Sequence, residues 1–223
     1  DLLMGISKQT VNINKIALGD KIKNKVIKYL PHGLNHKIYR PLEDTEELDA
    51  VKKMKLDLFG KEEIDFTLFF NSRNIRRKQL PDTMWAFKIF LDGLPKEKAD
   101  KCRFLLHTEM VHEAGTDLEA IIELLFEEKY PNAIVVDEKR WSTEQLNMLY
   151  NMTDCQILLT SNEGWGLTLT EAMLSGNPII ANSTGGMQDQ MRFIDEDGKW
   201  FTPSPEIPSN NTGRYKKHGE WAF

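Results

Sequence analysis

Short runs of β-branched, aromatic and aliphatic residues alternate along the chain with longer stretches whose apolar positions recur every three or four residues. The runs Val26 to Leu30, Phe66 to Asn71, Arg103 to Thr108, Ala133 to Asp137, Gln156 to Thr160 and Pro178 to Ala181 read as strands. Between them, Met84, Phe87, Ile89, Phe90 and Leu94 fall mostly on one helical face of Asp82 to Leu94. Leu118, Ile121, Ile122, Leu125 and Phe126 do the same from Asp117 to Lys129. Ser142-Thr143-Glu144 predicts a helix start ahead of Gln145 to Tyr150, and Leu167 opens a helix through Leu174 that Gly176-Asn177-Pro178 closes. Strands alternating with crossover helices specify an α/β fold: a mostly parallel sheet of six strands with helices on both faces.

The ends of the chain read differently. Leu2 to Ile6, then Ser7 as an N-cap and a Lys-rich stretch, look like the last strand and helix of a preceding domain, residues 1–24. Pro31-His32-Gly33 and Tyr39-Arg40-Pro41 bracket a loop, and Glu43 to Glu47 begin a helix at an acidic N-terminus. Residues 25–203 form the main domain. In 204–223, Pro205, Pro208, Ser209, Asn210, Asn211 and Gly213 leave no periodic pattern, so this is a loop or a truncated segment. The chain opens at Asp1 without a signal-peptide pattern and is read as a fragment.

Composition narrows the functional classes. With 29 Lys+Arg against 34 Asp+Glu, the net charge of −5 disfavours a general grip on nucleic acid or an anionic membrane, so any basic site is local. No apolar run reaches the ~18 residues of a membrane span. Cys102 and Cys155 lie in apolar runs with no Cys/His cluster, which points to buried thiols in a reducing, cytoplasmic setting, the alternative being a disulfide between them.

Two clusters carry candidate chemistry. In Thr160-Ser161-Asn162-Glu163-Gly164-Trp165-Gly166-Leu167-Thr168, a strand ends, two glycines allow a tight turn and a helix begins. Free N–H groups and the positive end of the helix dipole therefore converge on an anion site. Glu163 lies at the loop mouth and Glu171 a turn into the helix, two acceptor-only groups suited to ribose or sugar hydroxyls. The second cluster, Asn71-Ser72-Arg73-Asn74-Ile75-Arg76-Arg77-Lys78, is a localised positive site in an acidic protein, and a diphosphate fits it. Both lie beyond the carboxyl ends of strands, where open α/β sheets bind ligands. The chain has no P-loop, no Gly-x-Gly-x-x-Gly, no nucleophile elbow and no zinc-protease helix.

Glu163-x7-Glu171 with its internal Gly-x-Gly-Leu, preceded by Arg73 and by Lys78 five positions on, resembles the donor-binding half of the GT-B-fold retaining glycosyltransferases of the "glycosyl transferases group 1" type. Pro31-His32-Gly33-Leu34-Asn35 resembles that family's interdomain segment. Asn177-Pro178-Ile179-Ile180-Ala181 with Gly185-Gly186 and Asp189 resembles its closing strand and loop.

The resemblance implies a Rossmann-like sheet forming the C-terminal half of a GT-B fold, and a hexosyltransferase that uses a UDP-, GDP- or ADP-linked sugar without metal or other cofactor. It assigns Arg73 and Lys78 to the diphosphate and Glu163 to the transferred sugar, the three catalytic candidates. Glu171 is assigned to the ribose, with Gly164, Trp165, Gly166, Leu167 and Thr168 completing the donor loop and Val136 and Asp137 beside the base. Ser72 and Gln79 stand where the family usually has glycine, and Trp165 where Phe is common. The acceptor domain would precede this chain, so the fragment alone is expected to transfer little sugar. The alternative, favoured by Ser72 and Gln79, is a non-catalytic nucleotide- or phosphosugar-binding module of the same fold.

Overall fold

The computed structural model describes residues 1–60, 63–191, 193–194 and 200–201. In chain order the elements are β1 (Leu2–Gly5), α1 (Lys8–Leu18), β2 (Val26–Tyr29), α2 (Thr45–Phe59), β3 (Phe66–Asn71), α3 (Leu80–Asp92), α4 (Lys96–Ala99), β4 (Cys102–His107) and α5 (Leu118–Leu125). They continue with β5 (Ile134–Asp137), α6 (Thr143–Met152), β6 (Cys155–Leu158), α7 (Leu167–Leu174), β7 (Ile179–Ala181), α8 (Met187–Gln190), β8 (Phe193–Ile194) and β9 (Trp200–Phe201). The tail 204–223 lies outside the described residues.

Among the described residues the main sheet has five strands in the order β5-β4-β3-β6-β7, all parallel. β3 is its centre, buried along nearly its whole length, as a strand covered on both faces must be. Alternation divides that burial between two layers. Phe104 on one face meets Phe87 of α3 at 5.2 Å, and Phe69 on the other meets Tyr150 of α6 at 5.3 Å, so helices cover both sides. The fold class is the expected one, an α/β parallel sheet flanked by helices.

One strand belongs elsewhere. The apolar run Val26 to Leu30 predicts a sixth strand of the main sheet, but β2 pairs with β1 in a separate two-stranded parallel sheet, Leu2 opposite Val26 and Gly5 opposite Tyr29. Its residues alternate between exposed and half-buried, a pattern that a strand in the middle of a parallel sheet does not show. With α1 as crossover, β1 and β2 make one βαβ unit, and Ser7 caps α1 by accepting from the Thr10 amide at 3.0 Å.

From β3 the chain moves outward through β4 to β5, then returns to place β6 and β7 on the other side of β3. The segments leaving β3 and β6 therefore diverge from neighbouring strands, which opens a crevice at the carboxyl edge of the sheet. α6 begins with a reciprocal capping box between Ser142 and Gln145. Cys102 and Cys155 are both buried and free, without a disulfide.

Candidate functional site

The segment after β3 turns through a single 3₁₀ turn, Arg76–Lys78, and ends at Gln79, which adopts a left-handed backbone at φ 51°. That conformation is native to glycine and strained for glutamine, so a glycine is natural here, yet Gln79 follows the same path. The segment after β6 ends at Gly166, also left-handed at φ 89°. A Cβ there would meet Met187 at 3.0 Å. Gly166 has no side-chain oxygen, so the opening amides of α7, Leu167 and Thr168 among them, take no side-chain cap among the described residues. The Gly185-Gly186 loop seals this turn from behind. The Gly186 amide donates to the Glu163 carbonyl at 2.9 Å, and a Cβ on Gly186 would stand 2.1 Å from the Gly164 carbonyl oxygen.

The two loops are joined by charge. Glu163 Oε2 accepts from Lys78 Nζ and from Arg77 Nη1, the latter at 2.9 Å. The side chains of Lys78 and Glu163 are only 7% and 12% exposed, so the pair is substantially desolvated. Burial works to raise the Glu163 carboxyl, but the hydrogen bonds and charges of Lys78 and Arg77 outweigh it and hold the group below the usual carboxylate range. On Lys78 burial wins instead, lowering the ammonium below the ordinary lysine value despite Glu163.

Glu171, one helical face along, is held by phenols rather than by cations among the described residues. Its Oε2 accepts from the Tyr150 hydroxyl at 2.6 Å and its Oε1 from the Tyr39 hydroxyl at 3.3 Å, while Asn71 Nδ2 donates to the Tyr150 oxygen at 2.9 Å. Burial lifts the Glu171 carboxyl above the usual range and the two phenols restrain the rise. The fully buried Tyr150 is pushed well above the ordinary tyrosine value, first by burial and then by the charge of Glu171.

Arg73 stands apart from both carboxylates. It lines a cleft of about 720 Å³ beyond the ends of β3, β4 and β5, together with Asn71, Thr108, Asp137, Glu138 and Trp141. Its charge reaches Lys78 and Glu109, where it acts to lower both pKa values. Asp137 is buried, and its carboxylate is taken up by Trp141 Nε1, by His107 Nδ1 at 3.2 Å and by the Lys139 amide at 3.3 Å. It thereby fixes the floor of the cleft. Val136 lies half-buried in β5, paired with Leu106. Thr108 is 6% exposed and its Oγ1 has no hydrogen-bond partner among the described residues, leaving an unspent polar group in the cleft wall.

Trp165 is buried at the turn, its indole N–H donating to Thr170 Oγ1 at 3.1 Å, which accommodates Trp where Phe is common. His32, from the loop after β2, approaches its ring edge-on at 6.3 Å. The structure thus brings Lys78, Glu163, Gly164, Trp165, Gly166, Leu167 and Thr168 together. It sets Glu171 behind them and Arg73 with Asp137 in the adjoining cleft. Sequence reasoning missed Arg77, Tyr39, Tyr150, His107 and Trp141 as partners of these groups. Only Arg77, inside the basic run, carried a signal.

Residues 114–206 match the family glycosyl transferases group 1. The GT-B resemblance holds. That span carries Glu163, Glu171 and the Gly185-Gly186 loop. Among solved structures, the chain is similar to a sucrose-phosphate synthase from Thermosynechococcus elongatus, with 20% identity and a TM-score of 0.62 over 100% of this chain and 50% of that one. It is similar to the C-terminal domain of the glycosyl transferase group 1 family protein LpcC from Francisella tularensis, at 16% identity and TM-score 0.57, over 85% of this chain and 91% of that one. It is also similar to HepE from Anabaena, solved in complex with UDP and glucose, at 17% identity and TM-score 0.65, over 99% and 56%. At these identities the likeness establishes the fold: the Rossmann-like domain of a GT-B architecture. The chain spans about half the length of the synthase and of HepE. No curated protein sequence matches it.

Proposed function

We propose that the chain is the nucleotide-sugar-binding domain of a retaining glycosyltransferase that moves a hexosyl group from a nucleoside diphosphate sugar to an acceptor held by a preceding domain. The observation that carries this reading is the junction of the β3 and β6 loops. There a buried lysine, the uncapped first amides of α7 and two carboxylates of opposite environment meet at the switch point of a parallel sheet. HepE, whose complex holds UDP and glucose, supports the same ligand class.

In this reading Arg73, Lys78 and the amides of Leu167 and Thr168 hold the diphosphate. They stabilise the charge that develops on the leaving group more than the charge of the bound donor, and no metal is required. Glu163 faces the sugar, Glu171 accepts from the ribose hydroxyls, and the base lies in the cleft floored by Asp137 near Val136. The acceptor attacks from the face the diphosphate leaves, and a diphosphate oxygen takes its proton, which retains configuration. The unit β1-α1-β2, covering residues 1–24 and the strand paired with them, is the end of the acceptor domain. Its exposed Leu2, Met4, Ile13, Ile16 and Val26 are the surface that such a domain would cover. The alternative of a ligand-binding module without turnover draws on Ser72 and Gln79, but Gln79 keeps the left-handed turn and so leaves the path of the loop intact. A cytoplasmic setting belongs to the same reading, supported by two free, buried thiols.

Calorimetric titration with UDP, GDP, ADP and the matching nucleosides, without added metal, tests the reading. One diphosphate should bind, and Arg73→Ala should cost it more affinity than it costs the nucleoside. An Arg73→Ala loss that ignores the number of phosphates would refute the diphosphate assignment.

A further inference from the structure

Lys78 has two claims on it. The proposed donor site needs its ammonium for the diphosphate, yet in the structure that ammonium is given to Glu163, its carboxylate partner among the described residues. A buried carboxylate stripped of its cation is strongly unfavourable, so Lys78 can leave Glu163 at low cost only where another cation remains. Arg77 is that cation, and it is anchored on three sides. Its Nη1 donates to the Asn162 carbonyl at 2.6 Å as well as to Glu163. Its own carbonyl accepts from the Ser161 amide at 2.8 Å and from Thr160 Oγ1 at 3.0 Å. Arg77 therefore ties the loops after β3 and β6 together whatever Lys78 does. Arg76, the preceding residue, is exposed and makes its backbone bond to the Ala114 carbonyl instead.

We propose that Arg77, Glu163 and Lys78 work as a charge exchange: an incoming diphosphate draws Lys78 from Glu163 while Arg77 keeps the carboxylate paired. Glu163 thereby competes with the phosphates for Lys78 and limits how tightly the free nucleoside diphosphate, the reaction's product, is held. Arg77 is a positioning residue in this scheme, since it acts through Glu163. The proposal rests on the reading that a diphosphate binds at Lys78, and it goes beyond it by giving Glu163 an opposing effect on the bare diphosphate.

The test is titration of the chain with inorganic pyrophosphate, which carries no base or sugar, and then with UDP, GDP and ADP. Glu163→Gln should tighten pyrophosphate binding about tenfold, the scale of one charge-assisted hydrogen bond released to the ligand. Arg77→Met should weaken it about fivefold, clearly more than the matched charge loss Arg76→Gln, and Arg77→Lys should restore most of the loss. In a Glu163→Gln background Arg77→Met should lose most of its effect, because the carboxylate it serves is gone. Should Glu163→Gln fail to fold, Glu163→Asp, which withdraws the charge by one methylene, should tighten binding by a smaller factor.

Unchanged or weaker pyrophosphate binding in the Glu163 variants overturns the exchange, as does an Arg77→Met effect of equal size in both backgrounds. Binding indifferent to Lys78→Met would overturn the diphosphate reading itself, whereas binding that needs Lys78 but ignores Glu163 overturns the exchange alone. A wild-type chain that binds neither pyrophosphate nor any of the three nucleotides overturns both.

Discussion

Glu163 and Glu171 come from one short motif and end in opposite environments. Glu163 lies between two cations and is held ionised below the usual range, whereas Glu171 lies between two phenols and is lifted above it. The elements explain the contrast. Glu163 sits on a loop that faces the basic segment after β3, and Glu171 sits inside α7, facing Tyr150 of α6 and Tyr39 of the connecting loop. A carboxylate's role is set by which donors its element delivers to it, and spacing in sequence alone does not reveal that.

The largest consequence is expected on the ionic side. Lys78→Met leaves a largely buried carboxylate with Arg77 as its remaining cation among the described residues and should destabilise the fold by about 2–4 kcal/mol in urea unfolding, somewhat below the loss of a sole buried partner. On the phenolic side, Tyr150→Phe removes one donor from Glu171 and one acceptor from Asn71, for about 1–3 kcal/mol. Tyr39→Phe, whose bond is longer, should cost less. A Lys78→Met loss smaller than that of Tyr150→Phe would reverse the ranking of the two regions.

The two carboxylates should also answer pH in opposite senses. Glu163, with its folded pKa depressed, contributes stability that is present above its unfolded pKa of ~4.3 and is lost as pH falls through the lower folded value. Glu171, with its folded pKa raised, contributes stability that is full below ~4.3 and is lost as pH rises through the higher folded value. Urea midpoints measured across the acid range should show that Glu171→Gln removes a component that grows on acidification. Glu163→Gln should remove one that shrinks. In the proposed reading, where the ionised Glu171 accepts from the ribose hydroxyls, nucleotide affinity should begin to fall on acidification at a pH above that at which an ordinary carboxylate would titrate. The smallest effect is expected at Gln79, where Gln79→Gly should relax the left-handed backbone and raise stability by about 0.5–1 kcal/mol after the entropy cost of glycine.

Much of the fold was legible because periodicity and burial agree. β3 and α7 have the limits expected from Phe66-to-Asn71 and Leu167-to-Leu174, and the Ser142 cap is present. The sheet that β2 joins was not legible, because a run as short as Val26 to Leu30 gives no sign of its partner. Its pairing with β1 depends on α1 carrying the chain across, a long-range fact. The turn at Gly164 to Gly166 and the start of α7 at Leu167 were legible because glycine and helix-start chemistry are local. The tyrosines on Glu171 were not, since Tyr39 and Tyr150 lie on separate elements, in an irregular loop and on an amphipathic helix, and only the tertiary packing aims both hydroxyls at one carboxylate. Arg77 lies between those cases, visible as charge but not as the link between two loops.

The decisive experiment follows backbone amide shifts in ¹⁵N-labelled protein while UDP, GDP and ADP are added in turn. Binding at the proposed site would move the amides of Leu167 and Thr168 at the start of α7 together with those of Arg73 and Lys78, and for one nucleotide far more than for the other two. Shifts confined to other surfaces, or none with any of the three in a folded sample, would contradict a nucleotide-sugar site at the meeting of the β3 and β6 loops.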